Sequence, residues 1–246
     1  ISSTYNFSRG KTNRFPDRTL AMPGAISCAA AVGLLVAVGT WRIGIILRRV
    51  RDYRDSAKAS ARPVEGFRFL GASSDRLKEL KWFVIDDQVM GGRSSSAVLP
   101  KDGCIEFTGH INITGGGFSS CRTLGDDEAL GFPADAKAIQ VTAIADARQY
   151  KLTLHTADSW TMSVPSWAHD FRASSPGVRQ TWRLALKDFV PSKQGKPVPG
   201  AVLDPKEVTG VGINLSLYNM HGQPNPHFGD GEFRVVIESL SVLTSA

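Results

Sequence analysis

This sequence of 246 residues has few cysteines, and it lacks the histidine pairs and sequence motifs typical of catalytic sites. The three cysteines, Cys28, Cys104 and Cys121, lack Cys-x-x-Cys spacing, so they form neither a disulfide framework nor a zinc site. They indicate a reducing compartment, with a single bridge between Cys104 and Cys121 left open. The five histidines form no His-Glu-x-x-His motif, and neither a Gly-x-Ser-x-Gly elbow nor a complete phosphate loop occurs. We therefore predict no enzymatic activity, no catalytic residue, no metal site and no cofactor.

Excess positive charge is lacking from most of the chain. Residues 63–246 contain 18 Lys and Arg against 20 Asp and Glu, whereas residues 1–62 contain 11 against 3. The net charge of +6 therefore comes from the N-terminal quarter. A nucleic-acid-binding domain carries its positive patch on the folded body, so we predict no nucleic-acid partner.

Charged residues are absent from residues 23–40. About 20 apolar residues cross the hydrocarbon layer of a membrane, so the sequence predicts one transmembrane helix over 23–47 that contacts the lipid bilayer. An N-terminal extension over 1–22 precedes it, and a basic juxtamembrane helix and linker over 48–66 follow. A signal peptide is disfavoured because the run begins after residue 22. A buried soluble helix is disfavoured because the run lacks helical periodicity with polar breaks.

Basic residues flank this apolar run on both sides, and the C-terminal flank is the heavier one. It contains seven Lys and Arg residues against two aspartates, Asp52 and Asp55: Arg42, Arg48, Arg49, Arg51, Arg54, Lys58 and Arg62. The positive-inside rule then predicts that the following domain faces the matrix or stroma of an organelle.

Long helical patterns are absent from residues 67–246. Short apolar alternations between Gly, Pro, Asn and Asp predict one all-β domain with a single helical turn at 74–80. A phase slip after Ile237 predicts a bulge in the last strand. The ten predicted strands, whose spacing indicates a β-sandwich or jelly roll, are 94–99, 104–108, 110–114, 118–123, 138–143, 150–156, 161–165, 181–186, 208–217 and 232–242.

Two glycine-rich segments stand out in this domain. The first reads Asp86-Asp87-Gln88-Val89-Met90-Gly91-Gly92-Arg93-Ser94, and the second, after Phe107-Thr108-Gly109, reads Gly116-Gly117-Phe118-Ser119-Ser120-Cys121-Arg122-Thr123. A later segment runs from Trp182 to Phe189-Val190-Pro191. In this order, over roughly residues 65–243, these motifs resemble the complex I intermediate-associated protein 30 family.

The resemblance implies a galactose-binding-like β-sandwich and a non-enzymatic role in respiratory complex I assembly. Mitochondrial members of the family are usually matrix proteins without their own membrane anchor. The predicted anchor departs from that pattern and favours a permanent accessory subunit over a transient assembly factor. The implied partners are subunits of a large membrane redox complex, and the implied location is the mitochondrial inner membrane with the domain in the matrix. Plastid relatives act on photosystems, so the stromal side of the thylakoid membrane is the alternative.

The residues that match the family motifs are interpreted as structural or interaction residues: Asp86, Asp87, Met90, Gly91, Gly92, Ser94, Gly116, Gly117, Phe118, Arg122, Thr123, Trp182, Phe189 and Pro191. Asp86 and Asp87 are adjacent and point to opposite faces of a strand, which disfavours a shared metal. We expect one carboxylate to cap the turn at Gly91 and Gly92 or to pair with Arg93.

Exposed aromatic rings would support a second interpretation, a membrane-tethered carbohydrate-binding module. Sugar-binding sandwiches stack sugars on exposed rings, and this sequence offers four candidates, Trp160, Trp167, Phe171 and Tyr218. Core packing or a protein interface explains the same residues, because Trp and Tyr are common interface anchors. We favour protein contacts, since a domain on the matrix side meets few glycans.

Overall fold

The computed structural model of the chain describes residues 52, 55–56, 59–123, 128–157, 164–193 and 196–245. The predicted extension over 1–22 and the predicted transmembrane helix over 23–47 lie outside these residues. Within the described ranges, no helix is both long and apolar enough to cross a membrane. Asp52, Asp55, Ser56 and residues 59–60 are helical.

The domain is all-β, and its strands alternate with turns and short 3-10 segments. The fourteen strands in the described ranges are β1 (Arg62–Pro63), β2 (Arg68–Leu70), β3 (Lys81–Asp86), β4 (Ser95–Lys101), β5 (Cys104–Ile111), β6 (Phe118–Thr123), β7 (Ala138–Ala145), β8 (Gln149–Thr156), β9 (Ser166–Arg172), β10 (Arg179–Ala185), β11 (Val190–Lys193), β12 (Lys196–Pro197), β13 (Val208–Ser216) and β14 (Gly231–Leu243). The predicted helical turn at 74–80 is the 3-10 segment Asp75–Glu79.

Two sheets contain these strands. The eight-stranded sheet has the order β1-β3-β6-β13-β8-β9-β11-β12, and the six-stranded sheet has the order β10-β7-β14-β5-β4. The pairings are antiparallel except for β2, which runs parallel to the second half of β14 and completes the six-stranded sheet. Buried side chains from both sheets form one hydrophobic cluster, so the architecture is a β-sandwich.

Period-two alternation directs one face of each strand into this core. In β5, Ile105 and Phe107 are fully buried, as the alternation predicts. In β14 the buried positions shift phase after Ile237, where the pairing with β7 also shifts by one residue. The predicted bulge is therefore confirmed.

One predicted division between strands is wrong. The separate strands predicted at 104–108 and 110–114 are a single strand, β5, which ends at Ile111. Gly109, which lies between the two predicted strands, pairs with Ser96 in the ladder. A Cβ on Gly109 would lie 2.2 Å from the backbone oxygen of Ser95, so the glycine permits close approach of β4.

Several strands were not predicted. β3 contains adjacent buried residues, Trp82 and Phe83, so it lacks the alternation used to find strands. β9 was missed because its two large core residues, Trp167 and Phe171, are four positions apart and resemble a helical spacing. The predicted strand over 161–165 is not a strand at 164–165, and the rest of it lies outside the described residues. The short strands β1, β2, β11 and β12 are below the length at which a period is visible.

The two cysteines in the described residues are free thiols. Cys104 is half-buried, and Cys121 is fully buried in the core. Burial raises the pKa of Cys121 to about 12, so this thiol stays protonated and packs as a small apolar side chain. The bridge left open by the sequence is absent between them.

Replacing Phe107 with alanine is expected to lower the free energy of unfolding of the chain by about 3–5 kcal/mol, because the ring is fully buried 4.8 Å from that of Phe233. Val202 is 87% exposed, so Val202→Ala is the control and should change stability by less than about 0.5 kcal/mol. Chemical denaturation followed by tryptophan fluorescence measures both. Equal stabilities for the two variants would contradict the assignment of Phe107 to the core.

Candidate functional site

The aspartate-glycine motif forms a tight turn at the end of β3. That strand ends at Asp86, and residues Asp87–Met90 form one 3-10 turn. Gly91 ends the turn in the left-handed region, at φ 93°, and its N–H donates to the backbone oxygen of Gln88. A side chain is strained at that φ, which explains the glycine. The turn therefore presents Val89 and Met90 at the edge of the sandwich.

The carboxylate of Asp87 is fully buried and binds Ser94 through both oxygens. Its Oδ1 accepts from the Ser94 backbone N–H at 2.9 Å, and its Oδ2 accepts from the Ser94 hydroxyl at 2.7 Å. The same hydroxyl oxygen accepts from the backbone N–H of Asn112 at 3.1 Å. One buried side chain thus connects the turn to the residue before β4 and to the residue after β5.

Two glycines enclose this carboxylate. A Cβ on Gly92 would lie 2.2 Å from Cγ of Asp87, and a Cβ on Gly116 would lie 2.2 Å from its Oδ2. Any side chain at either position would overlap the aspartate. The two glycine-rich motifs, separated in sequence, therefore form one structure around a single buried acid.

The neighbouring Asp86 binds a different pair of serines. Its Oδ2 accepts from the Ser96 backbone N–H at 2.9 Å, and its Oδ1 accepts from the hydroxyls of Ser96, at 2.6 Å, and Ser119. Ser96 lies in β4 of the six-stranded sheet and Ser119 lies in β6 of the eight-stranded sheet. Asp86 therefore connects the two sheets through hydrogen bonds at this end of the sandwich.

These contacts correct one expectation about the aspartates. Neither carboxylate caps Gly91 and Gly92, whose N–H groups donate to backbone oxygens of Asp87 and Gln88 instead. Serine groups, not Arg93, are the partners of both carboxylates. Within the described ranges, no group of three or more His, Cys, Asp or Glu residues could hold a metal ion.

Exposed apolar residues surround the second glycine-rich segment. Met90 is 76% exposed, and Val89, Ile113 and Leu217 are exposed as well. The segment lies close to the aspartate turn, since a Cβ built on Gly115 would be 3.6 Å from the backbone oxygen of Gly91. The N–H of Leu217 donates to the backbone oxygen of Gly117 at 2.9 Å. We call Val89, Met90, Ile113 and Leu217 the glycine-loop surface.

The remaining motif residues of β6 lie close to this surface or further along the strand. Phe118 begins β6 and is half-buried. Thr123 ends the strand, and its hydroxyl both accepts from the N–H of Val211 at 2.9 Å and donates to the oxygen of Val211 at 3.2 Å. Arg122 is half-buried and pairs with Gly212 in the ladder between β6 and β13.

The last three motif residues form a second cluster, where the two sheets meet at β9, β10 and β11. Trp182 of β10 donates its Nε1–H to the backbone oxygen of Arg172 in β9 at 3.0 Å. Phe189 is buried with its ring 5.3 Å from the ring of His169, and Pro191 pairs with Trp167. The sequence motifs thus form one group around Asp87 and one inter-sheet group, with Arg122 and Thr123 further along β6.

Two of the four aromatic residues proposed for sugar stacking are core residues. Trp167 and Phe171 are buried, and the ring of Phe171 lies 5.2 Å from that of Trp182. They therefore provide no open platform. Tyr218 is exposed, and Trp160 lies outside the described residues.

Four polar residues on the outer face of the eight-stranded sheet were not predicted as site residues. Lys151, His155, Asp170 and Asn214 are half-buried or buried on strands whose alternate positions face the core. Desolvation lowers the pKa of His155 well below its usual value and lowers that of Lys151 to about 8. The available signal was the strict alternation in Tyr150-Lys151-Leu152-Thr153-Leu154-His155, where Lys, Thr and His share one face.

Comparison with protein families identifies this combination of motifs. The complex I intermediate-associated protein 30 family matches residues 68–237, which cover the aspartate turn, the glycine-rich segment and the inter-sheet cluster. The chain belongs to this family. Comparison with curated proteins gives no match.

Solved structures with some likeness to this family member include carbohydrate-binding modules and agarases. The family 11 carbohydrate-binding module from Clostridium thermocellum, in complex with a β-1,3-1,4-mixed-linked tetrasaccharide, has 12% identity and a TM-score of 0.41 over 69% of this chain and 95% of that chain. The agarase AgWH50C has 9% identity and a TM-score of 0.41 over 63% of this chain and 24% of that chain. A mutant of a family 29 carbohydrate-binding module has 10% identity and a TM-score of 0.32 over 65% of this chain and 88% of that chain. Likeness at this level transfers neither a ligand nor an activity.

Replacing Gly116 with alanine is expected to lower the free energy of unfolding by about 1–3 kcal/mol, because the new Cβ overlaps the Asp87 carboxylate. Gly229 has no atom within 4 Å of a built Cβ, so Gly229→Ala is the matched control, with an effect below about 0.5 kcal/mol. The double variant Asp87→Ala with Gly116→Ala should be less destabilised than the sum of its single variants, since the overlap disappears. Full additivity would show that the two residues do not interact.

Proposed function

We propose that the protein is a non-enzymatic, membrane-anchored component of mitochondrial respiratory complex I assembly, an accessory subunit or an assembly factor, that acts through protein contacts. Membership of the complex I intermediate-associated protein 30 family supports the link to complex I. The observation that carries the mode of action is the glycine-loop surface. Its residue Met90 is 76% exposed and lies in a turn that the buried Asp87 stabilises through hydrogen bonds to Ser94.

Rigidity makes this surface suited to binding. A flexible apolar side chain on a fixed backbone contacts a partner with little loss of backbone entropy on binding. Methionine adapts to irregular partner surfaces because its side chain is unbranched and polarizable. Val89, Ile113 and Leu217 extend the apolar area around it, and we assign this surface to contact with a complex I subunit.

The apolar run over 23–47 is the proposed membrane anchor, with the folded domain on the matrix side. Its support is the uncharged run over 23–40 and the heavier basic flank that follows that run. An anchor beside a rigid domain raises the effective concentration of the glycine-loop surface at a membrane partner, so modest contacts suffice for stable association. A plastid photosystem is the alternative host, on the stromal side of the thylakoid membrane.

Met90→Asp is expected to weaken association with complex I subunits at least about tenfold, because it places a charge in an apolar contact. Val202 is 87% exposed and distant in sequence from the glycine-rich motifs, so Val202→Asp is the control and should bind as the parent does. Tagged variants are recovered in mild detergent, and native gels then compare their comigration with complex I or its smaller intermediates. Unchanged comigration of the Met90 variant would contradict this surface assignment, and comigration with a photosystem would contradict the host.

Protease treatment of right-side-out inner-membrane vesicles is expected to leave residues 63–246 protected, because the domain is proposed to lie on the matrix side. The protected fragment is detected by an antibody against the domain, with detergent-opened vesicles as the control for cleavage. Complete digestion in intact vesicles would contradict the orientation.

A further inference from the structure

The outer face of the eight-stranded sheet carries a row of polar side chains across three neighbouring strands. Asn214 of β13 is the ladder partner of Lys151 in β8, and Lys151 is the ladder partner of Asp170 in β9. Direct partners in an antiparallel ladder project from the same face. Their chain neighbours, such as Leu152 and Ile213, are fully buried in the core, so the row faces outward.

The side chains in this row differ in how many of their hydrogen-bonding groups have a partner. Lys151 donates from Nζ to the hydroxyl of Ser216 and to the backbone oxygen of Tyr218, each at 2.8 Å. An ammonium group has three N–H donors, so one is left for a further acceptor. The Oδ1 of Asn214 is buried and has no hydrogen-bond partner among the described residues. A buried acceptor without a donor is unfavourable unless something else supplies the donor.

Asp170 completes the row with the opposite charge. Both carboxylate oxygens accept from the backbone N–H of Met220 at 3.2 Å, which brings the loop after β13 against the row. Burial raises the pKa of Asp170, while the Met220 N–H and Lys151 act in the opposite direction. Each oxygen keeps acceptor capacity for a ligand hydroxyl. The backbone oxygen of Tyr218, an exposed aromatic residue, accepts from Lys151 of the same row.

We propose that Asn214, Lys151 and Asp170 form a binding site for a small neutral polyhydroxylated ligand, a short saccharide. Its hydroxyl groups both donate and accept, so they match two acceptors and one donor in one row. A simple anion would be repelled by Asp170 and would leave Asn214 unsatisfied, and a simple cation would be repelled by Lys151. The row extends over two strand spacings, about 10 Å, which suits a ligand of one or two sugar rings.

The site uses different side chains from the glycine-loop surface. It is tested on the full chain by ¹H–¹⁵N spectra recorded with cellobiose or maltose up to about 50 mM, well above the Kd of a weak millimolar site. We expect at least one disaccharide to shift the amide signals of Lys151, Asp170, Asn214 and their neighbours in a saturable manner. If neither disaccharide moves these signals, or if sodium phosphate moves them equally, the proposal is overturned.

Two variants and a control complete the experiment. Asn214→Ala and Lys151→Met are expected to weaken disaccharide binding at least tenfold. Gln140, a half-buried amide on β7 of the other sheet, provides the control Gln140→Ala, which should bind as the parent does. The ligand-free Tm of Asn214→Ala should be unchanged or higher, because the variant removes an unsatisfied acceptor. Unaltered binding by both variants, or a large fall in the Tm of Asn214→Ala, would assign the row a structural role instead.

Discussion

The buried carboxylate of Asp87 is the interaction on which this end of the sandwich depends. A buried polar group costs free energy unless it is hydrogen-bonded, and Ser94 provides both donors. The requirement extends outward from the acid. Gly92 and Gly116 have no side chain and so leave room for the carboxylate, and the Ser94 hydroxyl oxygen accepts from the backbone N–H of Asn112. Three sequence positions, Gly92, Ser94 and Gly116, are thereby constrained by one side chain, which explains why two distant motifs occur together.

Asp86 and Trp182 play a comparable part between the sheets. Asp86 binds serines of β4 and β6, which belong to different sheets, and Trp182 donates across to the backbone of β9. A sandwich held only by apolar contacts tolerates small sliding of its layers, whereas directional hydrogen bonds fix one alignment. The motifs thus specify how the sheets are aligned at two separate places, and Met90 remains exposed.

Alternation in the sequence was enough to predict the central strands and the bulge of β14, because one face of each is buried and the other is not. It failed at β3, where Trp82 and Phe83 are both buried, and at Gly109, whose close approach to Ser95 cannot be read from a single chain. The aspartate turn was located from its motif, but its serine partners were not foreseen. The contact between Asp87 and Ser94 depends on how the turn between them folds, and the pairing of Asp170 with Lys151 depends on strand register. A sequence pattern specifies neither.

Strand β3, which ends at the aspartate turn, also pairs with the first strand of the domain, β1. β1 contains two residues, Arg62 and Pro63, and it pairs with β3 at Trp82 and Lys81. Proline donates no backbone hydrogen bond, so this pairing has few bonds and would be the first to open under tension. Any pull that reaches the domain through its N-terminal segment would therefore release β1 before it strains β3. In mechanical terms, separation of β1 from β3 is the weakest step, and it leaves the geometry of the aspartate turn unchanged.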